Sequence, residues 1–157
     1  MLGRIFPKQF DNTYRGYWLA VWLLVPLVFV KLGMGFNVIL NTRDVIQGVD
    51  GVPLDTFSAE AQKSLVFAFQ AWALGLFLLG FLGFIALVRY RAMVPLIYLL
   101  LLAENAGRKV IQLVMQEAHA SPAGNGLSMG ATVNLVLIAA LLIGFALSVG
   151  KVAEDLP

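Results

Sequence analysis

Four stretches of this chain are predominantly apolar over a length that crosses a membrane, two of them interrupted by charges: residues 16–40, 64–88, 93–112 and 130–149. A bilayer core about 30 Å thick takes about 20 helical residues to span. Inside it, every backbone N–H and C=O must be satisfied within a helix or a closed barrel. Barrel strands would be about 10 residues long with alternating polarity, and these runs are longer and continuous. The expected fold is therefore all-α: a four-transmembrane-helix bundle formed as a single membrane domain over residues 1–157. Composition agrees, with 60% hydrophobic and 13% charged residues, where soluble domains average about 45–50% and about 25%.

Charge sets the expected direction. Arg4, Lys8 and Arg15 precede the first span, Arg89 and Arg91 sit between the second and third, and Lys151 follows the fourth. The other two loops carry Asp44, Asp50, Asp55, Glu60 and Glu117, with Arg43 and Lys63 as basic exceptions. By the positive-inside rule both termini are expected to be cytoplasmic. Tyr14, Tyr17, Trp18, Trp22 and Tyr90 suit an inner aromatic belt. The basic-then-apolar N-terminus is read as an uncleaved first span, since no small-x-small site follows it and Lys31 interrupts it. Residues 1–15 suit either a short interfacial helix starting near Pro7 or an unstructured tail.

The first outer loop, residues 41–57, carries the turn signals Asp50-Gly51 and Val52-Pro53. Ser58 is expected to cap the second helix, with Glu60 favourable to its dipole. Asp44, Asp50 and Asp55 lack the ligand alternation of a calcium loop and are read as turn residues. The second outer loop, residues 118–129, reads as a connector with a solvated His119. Pro26 is expected to kink the first span. Ala71/Gly75 and Ala140/Gly144 are small-xxx-small pairs, for packing within the bundle or for homodimerisation.

Several chemistries are excluded. There are no cysteines, so disulfides, thiolate metal sites and cysteine nucleophiles are out. One histidine supports neither a zinc centre nor a Ser–His–Asp set, and no metal or cofactor is expected. A net charge of +2 is an orientation signal and not a nucleic-acid footprint.

The first run is apolar only from Gly16 to Val30, about 15 residues, and reaches spanning length by continuing through Lys31 to Leu40. At 1.5 Å per residue, Lys31 lies about 22 Å above the inner face, Glu104 about 17 Å and Arg108 about 22–23 Å. Gln70 and Asn134 lie roughly 9 Å and roughly 6–7 Å below the outer face by the same count. An intramembrane charge costs roughly 2.5–3.5 kcal/mol, so such groups turn inward and pair. Lys31, Gln70, Glu104, Arg108 and Asn134 are thus expected to line a polar cavity open to the outside. Asn105, Lys109 and Gln112 widen it, and Asn37 and Asn41 extend it outward. Two further readings stand beside it: a structural ion-pair network, or a lysine that snorkels. Lys31, Arg108 and Lys109 outnumber Glu104, which favours an anionic or carbonyl-bearing ligand such as a lipid headgroup or quinone. Cations around Glu104 hold it ionised, which weighs against a carboxylate pump.

Phe6-Pro7, the run Asp11 to Gly16, the run Asp50 to Phe57, the run Val88 to Leu96, and Glu104 with Arg108-Lys109 together resemble small four-span bacterial inner-membrane proteins of unknown function. The outline is also similar to DoxX-type bundles, without a diagnostic motif. The resemblance implies a multi-pass protein of the bacterial inner membrane and carries no activity. The expected function is non-enzymatic: binding of a lipid- or quinone-like amphiphile, or service as an accessory subunit of a membrane complex, with a homo-oligomer also open. The alternative is an enzyme or transporter acting on a lipid-like substrate through Lys31, Glu104 and Arg108.

Overall fold

The computed structural model describes residues 2–7, 9, 11–118 and 129–150. Among them every regular element is helical. Four long helices dominate: α1 (Trp18–Leu40), α2 (Ala59–Val88), α3 (Val94–Ala118) and α4 (Met129–Val149). Two of these, α1 and α2, are long and apolar enough to cross a membrane. The polar residues of α3, with Glu104 on one turn and Arg108 and Lys109 on the next, set it apart from them.

Helix ends follow local chemistry. Ser58 is extended and its hydroxyl accepts from the Ala61 N–H, which satisfies one of the orphan donors of the first turn. α2 consequently begins five residues before the apolar run at Ser64. Pro95 falls in the first turn of α3, where a missing N–H costs nothing. α1 runs through Pro26 as one continuous helix.

The helices alternate in direction. Gly35 meets Ala73 and Phe77, Gly80 meets Leu32, and Gly83 meets Val28, so α2 runs back along α1. The Tyr17 N–H donates to the Leu147 carbonyl at 3.2 Å, which sets the start of α1 beside the end of α4. α1 lies between α2 and α4, α3 packs on α4 and α2, and α1 and α3 face each other across the middle. All four contribute to one core, including Leu24 and Val28, Ala86, Ile97 and Tyr98, and Leu141. Small residues let α1 and α2 approach: a Cβ on Gly35 would lie 2.8 Å from the Phe77 backbone nitrogen. Gly144 plays the same part for the Tyr98 ring. Gly75, by contrast, opens to space and Ala71 is exposed, so of the two small-residue pairs only Ala140/Gly144 contributes to internal packing.

The outer surface inverts the pattern of a water-soluble protein. Trp22, Phe67, Ile111 and Val136 are each more than 60% exposed, and every long helix shows large apolar side chains outward.

The segment after α1 is more ordered than its turn signals suggest. Thr42–Asp44 adds a short α-helical piece, Val45–Val49 follows in the wider π winding, and Leu54–Thr56 forms one 3₁₀ turn. Ile46 and Leu54 are fully buried and anchor it. Gly51, at φ 68°, makes the turn that Asp50-Gly51 predicts. Asp55 accepts from Gln47 at 2.9 Å.

At the opposite, basic end, a helical turn covers Leu2–Ile5, not a stretch starting near Pro7. Residues 11–17 then dock on the helix ends, and the Ala92 N–H donates to the Asp11 carbonyl at 3.3 Å. The proline ring disfavours the helical conformation in the residue before it, so the turn ends ahead of Pro7. Lys8, Phe10, His119 with the connector between α3 and α4, Lys151, and the side chains of Arg4, Gln112 and Glu117 lie outside the described residues.

Candidate ligand site beside a buried ion-pair network

Lys31 is 2% exposed. Its stem crosses from α1 to the facing α3, where the ammonium donates to Glu104 Oε2 at 2.6 Å and to Asn105 Oδ1 at 3.1 Å. The lysine does not snorkel. An ammonium with so little access to surroundings keeps its charge only beside a carboxylate, and the contact with Glu104 is a direct ion pair.

Asn105, fully buried, is the hub. Its Oδ1 also accepts from Arg108 Nη2 at 3.2 Å and from Asn134 Nδ2 at 3.3 Å, while its Nδ2 donates to the Leu101 carbonyl at 2.7 Å. Lysine and arginine can only donate, so the amide oxygen must face them, and this fixes the amide's orientation. Arg108 stacks on Trp72 of α2, with its guanidinium carbon 5.0 Å from the ring centroid. Its Nε lies 3.5 Å from Glu104 Oε1.

The network reaches the surface along one edge, where the Glu104 and Arg108 side chains are 22% and 36% exposed. Three buried atoms there have no hydrogen-bond partner: Glu104 Oε1, Arg108 Nε and Asn134 Oδ1.

The structure thus brings together Lys31, Glu104, Asn105, Arg108 and Asn134, one set from three helices. It does not bring in Gln70 or Asn37. Gln70 shares the expected depth and Asn37 lies about 9 Å further out than Lys31, and each is turned about a third of a turn from its helix's inward stripe at 100° per residue. Gln70 is exposed and lines a shallow concavity with Asn41, Arg43 and Asp44. Asn37 is exposed and accepts from Asn41 at 2.9 Å. Two concavities stand out on the described surface, and no network residue lines either.

Three participants carry no depth signal in the sequence. Trp72 reads as an ordinary apolar residue, although its place two residues after Gln70 puts it about 3 Å deeper, near the level of Glu104. Tyr98, fully buried, donates from its hydroxyl to the Ala20 carbonyl at 2.7 Å and ties α1 to α3 nearer the basic end. Asp50, in the loop, comes within Coulombic range of Arg108. It supplies a second negative charge and reduces the positive excess expected of the layer.

Partial burial pushes the Asp50 carboxyl above its ordinary value, against a smaller opposite pull from Arg108. Desolvation therefore outweighs attraction. A raised folded-state value means that the folded chain binds this proton more tightly than the unfolded one. The contribution is present at low pH and lost as pH rises through the raised value. Asp50→Asn is accordingly expected to raise or leave unchanged the thermal midpoint at neutral pH, and to flatten its pH dependence across the carboxylate range. Thermal unfolding of both forms between pH 4 and 8 in one detergent checks this.

No family model, curated protein or solved structure matches this chain.

Proposed function

We propose that this is a four-span protein of the bacterial inner membrane, with both termini cytoplasmic, that holds the polar head of a lipid- or quinone-like amphiphile without reacting on it. The proposal includes its kinship with the small four-span inner-membrane proteins that its motifs resemble. The outward apolar surface of all four helices supports the membrane assignment, as do the basic residues Arg15, Arg89 and Arg91 at one end.

The observation that carries the ligand reading is the partly exposed edge of the network, where the Glu104 and Arg108 side chains are 22% and 36% exposed. Just beneath it Glu104 Oε1 and Arg108 Nε face each other at 3.5 Å without a hydrogen bond, and Asn134 Oδ1 has no hydrogen-bond partner. Buried polar atoms without hydrogen bonds are uncommon. A headgroup hydroxyl or carbonyl that reaches this edge supplies the hydrogen bonds these groups lack. The Arg108–Trp72 stack holds the guanidinium in place for it, while Lys31 and Asn105, already engaged, position Glu104 and Arg108.

Gly33, Gly75 and Gly107 each face open space, and this favours the accessory-subunit reading as a second possibility, since small residues admit a partner helix. Native mass spectrometry of the protein gently extracted from its own membrane separates the two. A co-purifying amphiphile that disappears in Arg108→Gln supports the ligand site. A partner chain that disappears in Gly75→Leu, with no small adduct, replaces it by the subunit reading.

A further inference from the structure

A second site lies at the other end of the molecule. A cavity of about 410 Å³ opens where the chain enters α1, bounded by Pro7, Asp11, Arg15, Ala92, Pro95 and Ser148 among others. Small-ligand sites run from about 300 to 1,000 Å³. One wall is the segment from Asp11 to Gly16, and it is held firmly. The Thr13 N–H donates to Asp11 Oδ1 at 3.0 Å, and the Tyr14 hydroxyl donates to the Tyr17 carbonyl at 3.2 Å. Gly16 sits so close to the Ser148 carbonyl and the Tyr14 ring that no Cβ fits. Burial pushes the Tyr14 hydroxyl up to about 12, so it remains a neutral donor.

The lining carries one carboxylate and one guanidinium that do not pair. Asp11 Oδ2 and the Arg15 guanidinium make no hydrogen bond or ion pair among the described residues. Among the described residues, two further cations at this end are engaged on aromatic rings: Arg89 over Tyr90 at 5.9 Å and Arg91 over Trp18 at 5.0 Å. Opposite charges held apart in one cavity suit a ligand that carries both signs. The exposed rings of Tyr17, Trp18 and Trp22 surround this end, and such aromatic belts sit at headgroup depth.

We propose that this cavity seats a phosphate–ammonium zwitterion, the phosphoethanolamine headgroup of a cytoplasmic-leaflet lipid, with Arg15 and Thr13 on the phosphate and Asp11 on the ammonium. The lipid as carrier rests on the membrane-spanning reading; the zwitterion rests on the cavity alone. Arg15 donates to phosphate in a forked geometry, and a primary ammonium gives Asp11 a charge-assisted hydrogen bond that a glycerol headgroup lacks.

The test titrates the full-length detergent-solubilised protein with phosphatidylethanolamine and phosphatidylglycerol and counts retained lipid by native mass spectrometry. The native chain is expected to retain the ethanolamine lipid about tenfold more strongly, the worth of one charge-assisted bond. Asp11→Asn keeps an acceptor for the Thr13 N–H, so the wall survives, and it should abolish that preference. Arg15→Gln should weaken both lipids. Equal retention of the two lipids by the native chain, with no binding of soluble phosphoethanolamine, overturns the proposal, as does a preference that survives both substitutions. A preference lost in Arg108→Gln but kept in Asp11→Asn would place the headgroup at the ion network and overturn it equally. Soluble phosphoethanolamine, titrated in parallel, separates the sources: binding of it without any lipid preference keeps the zwitterion and overturns the lipid as its carrier. Extraction of the chain from membranes by alkaline carbonate would refute the membrane-spanning reading by itself, and the soluble titration then decides the cavity.

Discussion

Glu104→Gln is expected to cost about 3–5 kcal/mol of folding stability, the range for breaking one side of a buried ion pair. The change leaves an ammonium that is 2% exposed with neutral acceptors only, the substituted amide oxygen and Asn105 Oδ1, which Arg108 and Asn134 already share. Lys31→Met should cost less. Its partner Glu104 is 22% exposed and retains Arg108 beside it at 3.5 Å. The double variant, Lys31→Met with Glu104→Gln, should recover most of the loss, because replacing both members of a buried pair by neutral groups of similar volume is often close to neutral. Equilibrium unfolding of the four proteins in mixed micelles gives the coupling energy directly. Additive losses would mean that the pair does not hold the helices together. The same set bears on function. A network whose part is to position Arg108 tolerates the double change with amphiphile retention intact, whereas a Lys31- and Glu104-dependent reaction fails with either change alone.

Gly35→Val should be the next most damaging, with Gly75→Val as its control. A Cβ at Gly35 would meet the backbone of α2, 2.8 Å from the Phe77 nitrogen and 3.0 Å from the Ala73 carbonyl oxygen. Backbone cannot rotate aside as a side chain can, so the helices must separate. Overpacking costs about 1–3 kcal/mol and occasionally more, and here it also draws Lys31, one turn earlier, away from α3. A Cβ at Gly75 meets nothing within 4 Å, and Val there should alter unfolding by less than about 0.5 kcal/mol. Unfolding midpoints of the two variants side by side provide the measurement. Equal effects would mean that the close approach of α1 and α2 contributes nothing particular.

Much of the framework was legible in the residues. Run lengths give the helices, Ser58 marks the start of α2, and Asp50-Gly51 marks a turn. Lys31 announces a buried charge that requires a carboxylate, and the i, i+4 spacing of Glu104 and Arg108 puts both on one face of α3. The ordered loop was not legible, because its anchors Ile46 and Leu54 look like any apolar loop residues until they meet a surface. Nor was the docking of residues 11–17, which depends on carbonyls at the end of α4 and an N–H in the turn before α3.

Sequence by itself determined the height of each polar group along its helix, since helical rise converts position into height with almost no freedom. Rotation about each helix axis was decided only by tertiary packing. A helix that is apolar nearly all round has no polar side to mark its outward direction, and the contact of Gly35 with Phe77 and of Gly144 with Tyr98 sets the rotation instead. That is why Gln70, at the right height, and Asn37, further out, face away, while Asn105 and Trp72 meet Arg108 and the loop carboxylate of Asp50 comes within its Coulombic range.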